Sequence, residues 1–187
     1  MTAGLIVMGT SLGGLSALRT VLGNLPGNFS VPVAIVQHRH KESDYTLSCY
    51  LQQYVSLSIR EVEDKDEIQP GQIYLAPADY HLLVEPGHFS LSTDDPVSYA
   101  RPSIDVLFES AAEVYHRDLI GVVMTGANQD GARGLVQVKA RGGVTVVQDP
   151  QTAASSIMPK AAIASVSVDW ILPLEQIAPC LVRLCDS

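Results

Sequence analysis

The sequence predicts a doubly wound α/β domain: a mainly parallel sheet with helices on both faces and one antiparallel hairpin. Three observations carry this expectation. The apolar runs Leu5–Met8, Val31–Val36, Leu119–Met124 and Val144–Val147 are short and almost unbroken, as parallel strands buried on both faces are. Between them, Leu15–Leu22, Tyr45–Tyr54, Ile104–Val114 and Ala132–Ala140 repeat apolar residues at three- and four-residue spacings, the stripe of a helix lying on a sheet. Strand and helix therefore alternate along the chain, the pattern of an α/β fold.

The middle of the chain breaks the alternation. Gln72–Leu75, Leu82–Glu85 and His88–Leu91 are short strand-like pieces, the last two joined by the turn dipeptide Pro86-Gly87, which predicts the hairpin. The acidic stretch Glu61 to Glu67, broken by Val62 and Lys65, reads as a solvated loop or strand edge. Further on, Met158–Ala164 follows a loop, Trp170–Leu172 suits a last strand, and Leu174–Leu184 closes the chain as a helix. Pro173 and Pro179 blur the boundaries there.

Composition narrows the class. With 187 residues, 47% hydrophobic and 17% charged, residues 1–187 fit one globular domain with a sizeable core. A net charge of -8 repels phosphate backbones and anionic lipid surfaces, so nucleic acid is an unsuitable partner. Three cysteines, Cys49, Cys180 and Cys185, with no C-x-x-C spacing argue against a disulfide framework or structural zinc and read as buried reduced thiols. Met1 to Met8 lacks the basic region of a signal peptide, and no apolar run reaches the roughly 18 residues of a membrane span. A cytoplasmic protein without membrane insertion is expected.

Chemistry first shows itself after the first strand. Gly9-Thr10-Ser11-Leu12-Gly13-Gly14 fits G-x-S-x-G in the strand–turn–helix setting that this pattern requires. Glycines allow the sharp turn that pushes Ser11 towards solvent at the carboxyl end of the strand. The unpaired N–H groups at the start of the helix, that of Leu12 first, suit an oxyanion developing on a substrate carbonyl. A phosphate-cradling turn or a simple N-cap serine remain competing readings of the same residues.

A serine hydroxyl is a weak nucleophile, so the hydrolase reading needs a histidine and a carboxylate. His38 directly follows the second strand and should emerge at the carboxyl edge, where open α/β sheets bind ligands. His40 could replace it, whereas His81, His88 and His116 read as surface histidines. After the strand Leu119–Met124, the loop Thr125-Gly126-Ala127-Asn128-Gln129-Asp130-Gly131 brings Asp130 to the same edge. Asp130 could serve instead, or in addition, as the N-cap of the helix starting near Ala132. The order Ser, His, Asp differs from that of the α/β-hydrolases, which disfavours a standard member of that fold.

At these residues the chain resembles the catalytic domain of the chemotaxis protein-glutamate methylesterases. The likeness runs from Leu5 to about Leu172. It rests on Gly9–Gly14, Gln37-His38, Pro70-Gly71-Gln72-Ile73-Tyr74-Leu75-Ala76-Pro77, Arg101-Pro102-Ser103-Ile104-Asp105-Val106-Leu107-Phe108, and Thr125-Gly126 through Asp130-Gly131. The resemblance implies Ser11 as nucleophile, His38 as general base and Asp130 as its orienter. It also implies a hairpin near the site, and neither metal nor organic cofactor. The implied substrate is a methylated glutamate on a chemotaxis receptor, with methanol released; some members also deamidate receptor glutamines. Two stretches depart from the family pattern: Arg39-His40-Lys41 replaces a proline-containing turn, and Ala127-Asn128-Gln129 replaces a common Met-Gly pair. Members commonly carry a receiver domain in front, and this chain reads as a stand-alone catalytic domain, with any regulation supplied by a separate partner protein.

The expected oxyanion donors are the N–H groups of Leu12 and Ala127. Two other classes stay open at this point. A nicotinamide-dependent oxidoreductase could use the first turn for pyrophosphate, although Gln37-His38-Arg39 offers no ribose-binding acid. A non-catalytic signalling module could use the altered loops to bind a partner.

Overall fold

The computed structural model describes residues 3–39 and 46–186. Alternate side chains of each central strand point to opposite faces, and here both faces are apolar, so the sheet must be covered twice. In β1 (Leu5–Thr10), Ile6 and Met8 join one core while Leu5 and Val7 join the other. The same split places Val33 and Ile35 of β2 (Val33–Gln37) opposite Ala34 and Val36, and Ile120 and Val122 of β7 (Leu119–Val123) opposite Leu119 and Val123. Removal of this apolar surface from water is the main term favouring the fold.

Four further strands complete the main sheet. They are β3 (Ser58–Glu61), β4 (Gln72–Leu75), β8 (Val144–Gln148) and β9 (Trp170–Leu172). The order is β3-β4-β2-β1-β7-β8-β9, and every neighbouring pair is parallel. One face is covered by α1 (Gly14–Gly23), through Ala17, Leu18, Val21 and Leu22, and by α6 (Leu174–Cys185), through Ile177, Ala178 and Leu181. The other is covered by α3 (Ile104–Tyr115), α4 (Ala132–Ala140) and α5 (Ile157–Ser165). A separate antiparallel ribbon of β5 (His81–Glu85) and β6 (His88–Ser92) packs Leu82, Val84 and Phe89 into that second core.

The predicted class, the hairpin and the closing helix are all present. Differences lie at the margins. Strand β3 has no counterpart in the sequence reading, because an edge strand needs to bury little: Ile59 alone of its side chains is buried. Glu61 ends that strand, so the acidic stretch begins inside the sheet and only afterwards becomes an exposed loop. The second predicted helix is shorter, α2 (Thr46–Gln52); its expected first residue, Tyr45, lies outside the described residues, as do His40 and Lys41. All three cysteines are free, but only Cys180 is buried. Cys49 is exposed because its neighbours Ser48 and Leu51 take the inward positions of α2. Among the described residues no helix is long and apolar enough to cross a membrane.

Candidate active site

Strand β1 lies between β2 and β7, so the chain's connections diverge to either side of it. Such a switch point leaves a crevice beyond the carboxyl ends of the strands. The pairing continues one step past the strands and holds the three following loops side by side. His38 N–H donates to Thr10 O at 3.1 Å, and Ser11 N–H donates to Thr125 O at 2.9 Å. Ser11, His38 and the loop carrying Asp130 are thereby delivered to one place by ordinary sheet geometry.

The turn under Ser11 has little freedom. Gly13 has φ +81°, a conformation open to glycine at small cost. A Cβ on Gly14 would lie 1.9 Å from Gln37 Oε1. That closeness matters because Gln37 Nε2 donates to both Ser11 O (2.9 Å) and His38 O (2.8 Å), tying the two loops together. Thr125 closes the other side: its hydroxyl donates to Leu12 O at 2.8 Å, and Thr10 Oγ1 donates to Thr125 O at 2.7 Å.

Asp130 is 1% exposed and accepts four hydrogen bonds. Oδ2 accepts from His38 Nε2 at 2.7 Å and Ile104 N–H at 2.6 Å, and Oδ1 accepts from Ser103 Oγ and Asp105 N–H, both at 2.9 Å. Burial on its own pushes the carboxyl pKa up. The bonds from His38 and from the N–H groups of Asp105 and Ile104 outweigh it and hold the group below the usual carboxylate range. Asp130 is thus a carboxylate, which only accepts, and His38 carries its proton on Nε2. The resulting imidazole offers Nδ1 as its basic atom.

The expected N-cap role of Asp130 on α4 is not what the structure has. Its carboxylate turns to the start of α3, while the Gly131 and Gly134 N–H groups of the α4 terminus donate to Asp105 Oδ1 at 3.0 and 2.7 Å. The physical reason is Gly131, whose φ of +95° turns the chain between Asp130 and the helix.

Ser11 and His38 line one cleft with Arg39, Tyr99, Arg101 and Asn128. Among the described residues no hydrogen bond joins Ser11 Oγ to His38, and His38 Nδ1 is met by Asn128 Nδ2 at 3.0 Å. Leu12, which follows Ser11, is 62% exposed, and Ala127, in the loop that carries Asp130, is exposed as well. Arg101 is anchored rather than free: its Nε and Nη2 donate to Asp79 Oδ1 and its Nη1 to the carbonyls of Thr93 and Asp94. Arg39 pairs with Glu61 at 2.6 Å and donates to Ala76 O. His81, expected on the surface, is 2% exposed. It accepts Ser103 N–H on Nδ1 and donates from Nε2 to Asp95 O, a buried link between the hairpin and the start of α3. It is buried because β5 packs against α3, a contact between segments distant in the chain. Among the described residues no group of three or more His, Cys, Asp or Glu could hold a metal ion.

Sequence reasoning missed Gln37 as a tie, Asn128 as a partner of the imidazole, and Ser103 and Asp105 as supports of Asp130. The signal available was the stretch Arg101–Phe108, in which a serine and an aspartate flank the first residue of a predicted helix.

A buried carboxylate bonded to an imidazole, beside a serine on a strand–turn–helix corner, is the constellation of a serine hydrolase on a doubly wound sheet. The sequence profile of the CheB methylesterase family matches residues 6–181, and the chain belongs to that family. A candidate protein-glutamate methylesterase/protein-glutamine glutaminase of Leptospira interrogans is 49% identical over 180 residues, covering 96% of this chain and 93% of that protein. The protein-glutamate methylesterase/protein-glutamine glutaminase of Thermotoga maritima is 34% identical, and the chain spans 54% of its length. The crystal structure of the Thermotoga maritima CheB methylesterase catalytic domain superposes with a TM-score of 0.94 at 34% identity, covering 98% of this chain and 100% of that one. Neither the dinucleotide-binding reading nor the non-catalytic module is favoured by these findings.

Proposed function

We propose that the chain demethylates glutamate methyl esters on a chemotaxis receptor, releasing methanol, and that the same site deamidates receptor glutamines. The observation that carries this reading is the 2.7 Å bond between Asp130 Oδ2 and His38 Nε2 in the cleft that Ser11 lines.

In this arrangement Nδ1 of His38 is the base, since Nε2–H is held by Asp130. Ser11 Oγ attacks the ester carbonyl and its proton passes to Nδ1. The N–H groups of Leu12 and Ala127 stabilise the oxyanion, each worth roughly 3 kcal/mol in comparable hydrolases. Collapse of the tetrahedral intermediate expels methanol, with the proton returned from Nδ1. Water then attacks the acyl-enzyme by the same route and leaves the glutamate carboxylate and free Ser11.

The site works on a cytoplasmic receptor segment, with no organic cofactor. The test is methanol release from methylated receptor fragments by purified native and Ser11→Ala chains. Release by the native chain alone is expected. Undiminished release by Ser11→Ala overturns the mechanism.

A further inference from the structure

The nitrogen that has to take the Ser11 proton is already occupied. Asn128 Nδ2 lies 3.0 Å from His38 Nδ1. The amide cannot be turned round, because Asn128 Oδ1 accepts the Asp130 N–H at 3.0 Å in a local turn. The imidazole cannot be turned round either, because Nε2–H is committed to Asp130 at 2.7 Å. Each of the two groups therefore has one role: Asn128 N–H donates, and the Nδ1 lone pair accepts.

An imidazole nitrogen has a single lone pair in the ring plane, so Asn128 and the Ser11 hydroxyl compete for it. Among the described residues, Ser11 Oγ makes no bond to His38. Asn128 is half-buried and lines the same cleft as Ser11 and His38. An acyl group seated over Ser11 enters the space that Asn128 borders, and its carbonyl oxygen is an alternative acceptor for the same N–H.

We propose that Asn128 is a positioning residue that latches the general base: it caps His38 Nδ1 in the resting site and releases it to Ser11 when a substrate carbonyl takes over the amide N–H. The proposal rests on the reading of Ser11 as nucleophile and His38 as base. Its consequence is selectivity. A small electrophile that makes no contact with Asn128 meets a serine whose base is tied, whereas a substrate that fills the cleft unties it.

The experiment compares native, Ser11→Ala and Asn128→Ala chains in covalent labelling by a small fluorophosphonate. Removal of the competing donor should speed labelling of Asn128→Ala by up to about tenfold, the factor associated with one net hydrogen bond. Damage to a purely structural residue would slow it instead. Labelling of the native chain but not of Ser11→Ala, with no acceleration in folded Asn128→Ala, overturns the latch and leaves the nucleophile standing. Absence of labelling in native and Asn128→Ala chains alike overturns both. Should Asn128→Ala not fold, the native chain decides: a scalar coupling across the hydrogen bond between the Asn128 Nδ2 and His38 Nδ1 nitrogens is expected, and its absence in isotope-labelled protein overturns the latch.

Discussion

Asp130 and Asp105 each cap the other's helix. Asp130, on the loop before α4, accepts the Ile104 and Asp105 N–H groups at the start of α3. Asp105, in the first turn of α3, accepts the Gly131 and Gly134 N–H groups at the start of α4. Two helix N-termini thus face two buried carboxyls, and the positive end of α3 holds the carboxylate that is bonded to His38.

The two carboxyls divide the acid pH range between them. Burial, opposed by the Gly134 N–H bond and aided by the Asp130 charge, raises the Asp105 pKa from 3.8 to about 6. A folded-state pKa above the unfolded value means that the folded chain binds the proton more tightly. This contribution is full below pH 4 and is lost as the pH climbs to about 6, amounting to no more than about 3 kcal/mol. The Asp130 pKa is lowered, so its contribution is present above the ordinary carboxylate pKa and is lost as the pH falls below that value. Urea denaturation of Asp105→Asn between pH 4 and pH 7 should show a flatter profile than the native chain, with the acid-side loss below pH 4 retained.

Replacing Asp130 with asparagine keeps the shape and removes the charge. Ester hydrolysis should fall by roughly 10⁴-fold, as in the corresponding triad replacement elsewhere. Loss of a charged cap on α3 should also cost about 1–2 kcal/mol. Steady-state methanol release and a thermal melt on the same sample check the two effects.

Ser103 is the N-cap residue of α3, yet its hydroxyl makes no bond to its own helix and donates to Asp130 Oδ1 instead. Ser103→Ala leaves Asp130 with its N–H donors and its bond to His38. A stability loss of about 1.5–3 kcal/mol is expected for removing a bond to a charged group, with a smaller fall in rate than in Asp130→Asn. Equal rate losses in the two variants would contradict this division of roles.

Gly14→Ala tests the tie between the two loops. The added methyl would lie 1.9 Å from Gln37 Oε1 and must displace that side chain. Stability should drop by about 1–3 kcal/mol, the usual cost of overpacking. Fluorophosphonate labelling should slow as well, because Gln37 would no longer hold the carbonyls of Ser11 and His38.

The placement of much of the candidate site was legible before any coordinates. Ser11, His38 and Asp130 each follow closely on an apolar run, and the end of a parallel strand has a known relation to the binding edge. The same reasoning marked Asn128 only as part of a loop that departs from the family pattern and could not find its bond to His38, 90 positions away in the chain. Nor could it find the reversed capping of Asp130, because an aspartate just before a helix normally caps that helix. Strand β3 escaped because it lies at the sheet edge and buries Ile59 alone.

From sequence alone came the alternation of strand and helix, the corner beneath Ser11 and the delivery of Ser11, His38 and Asp130 to the carboxyl edge of the sheet, because each depends on local periodicity and on glycine at a turn. Tertiary structure alone decided which nitrogen of His38 faces Asp130, which helix Asp130 caps and which amide meets the other nitrogen of the imidazole. Those depend on hydrogen bonds between residues up to 92 positions apart, and such partners are brought together by the pairing of β2, β1 and β7 and by the packing of α3 against α4, not by any spacing along the chain.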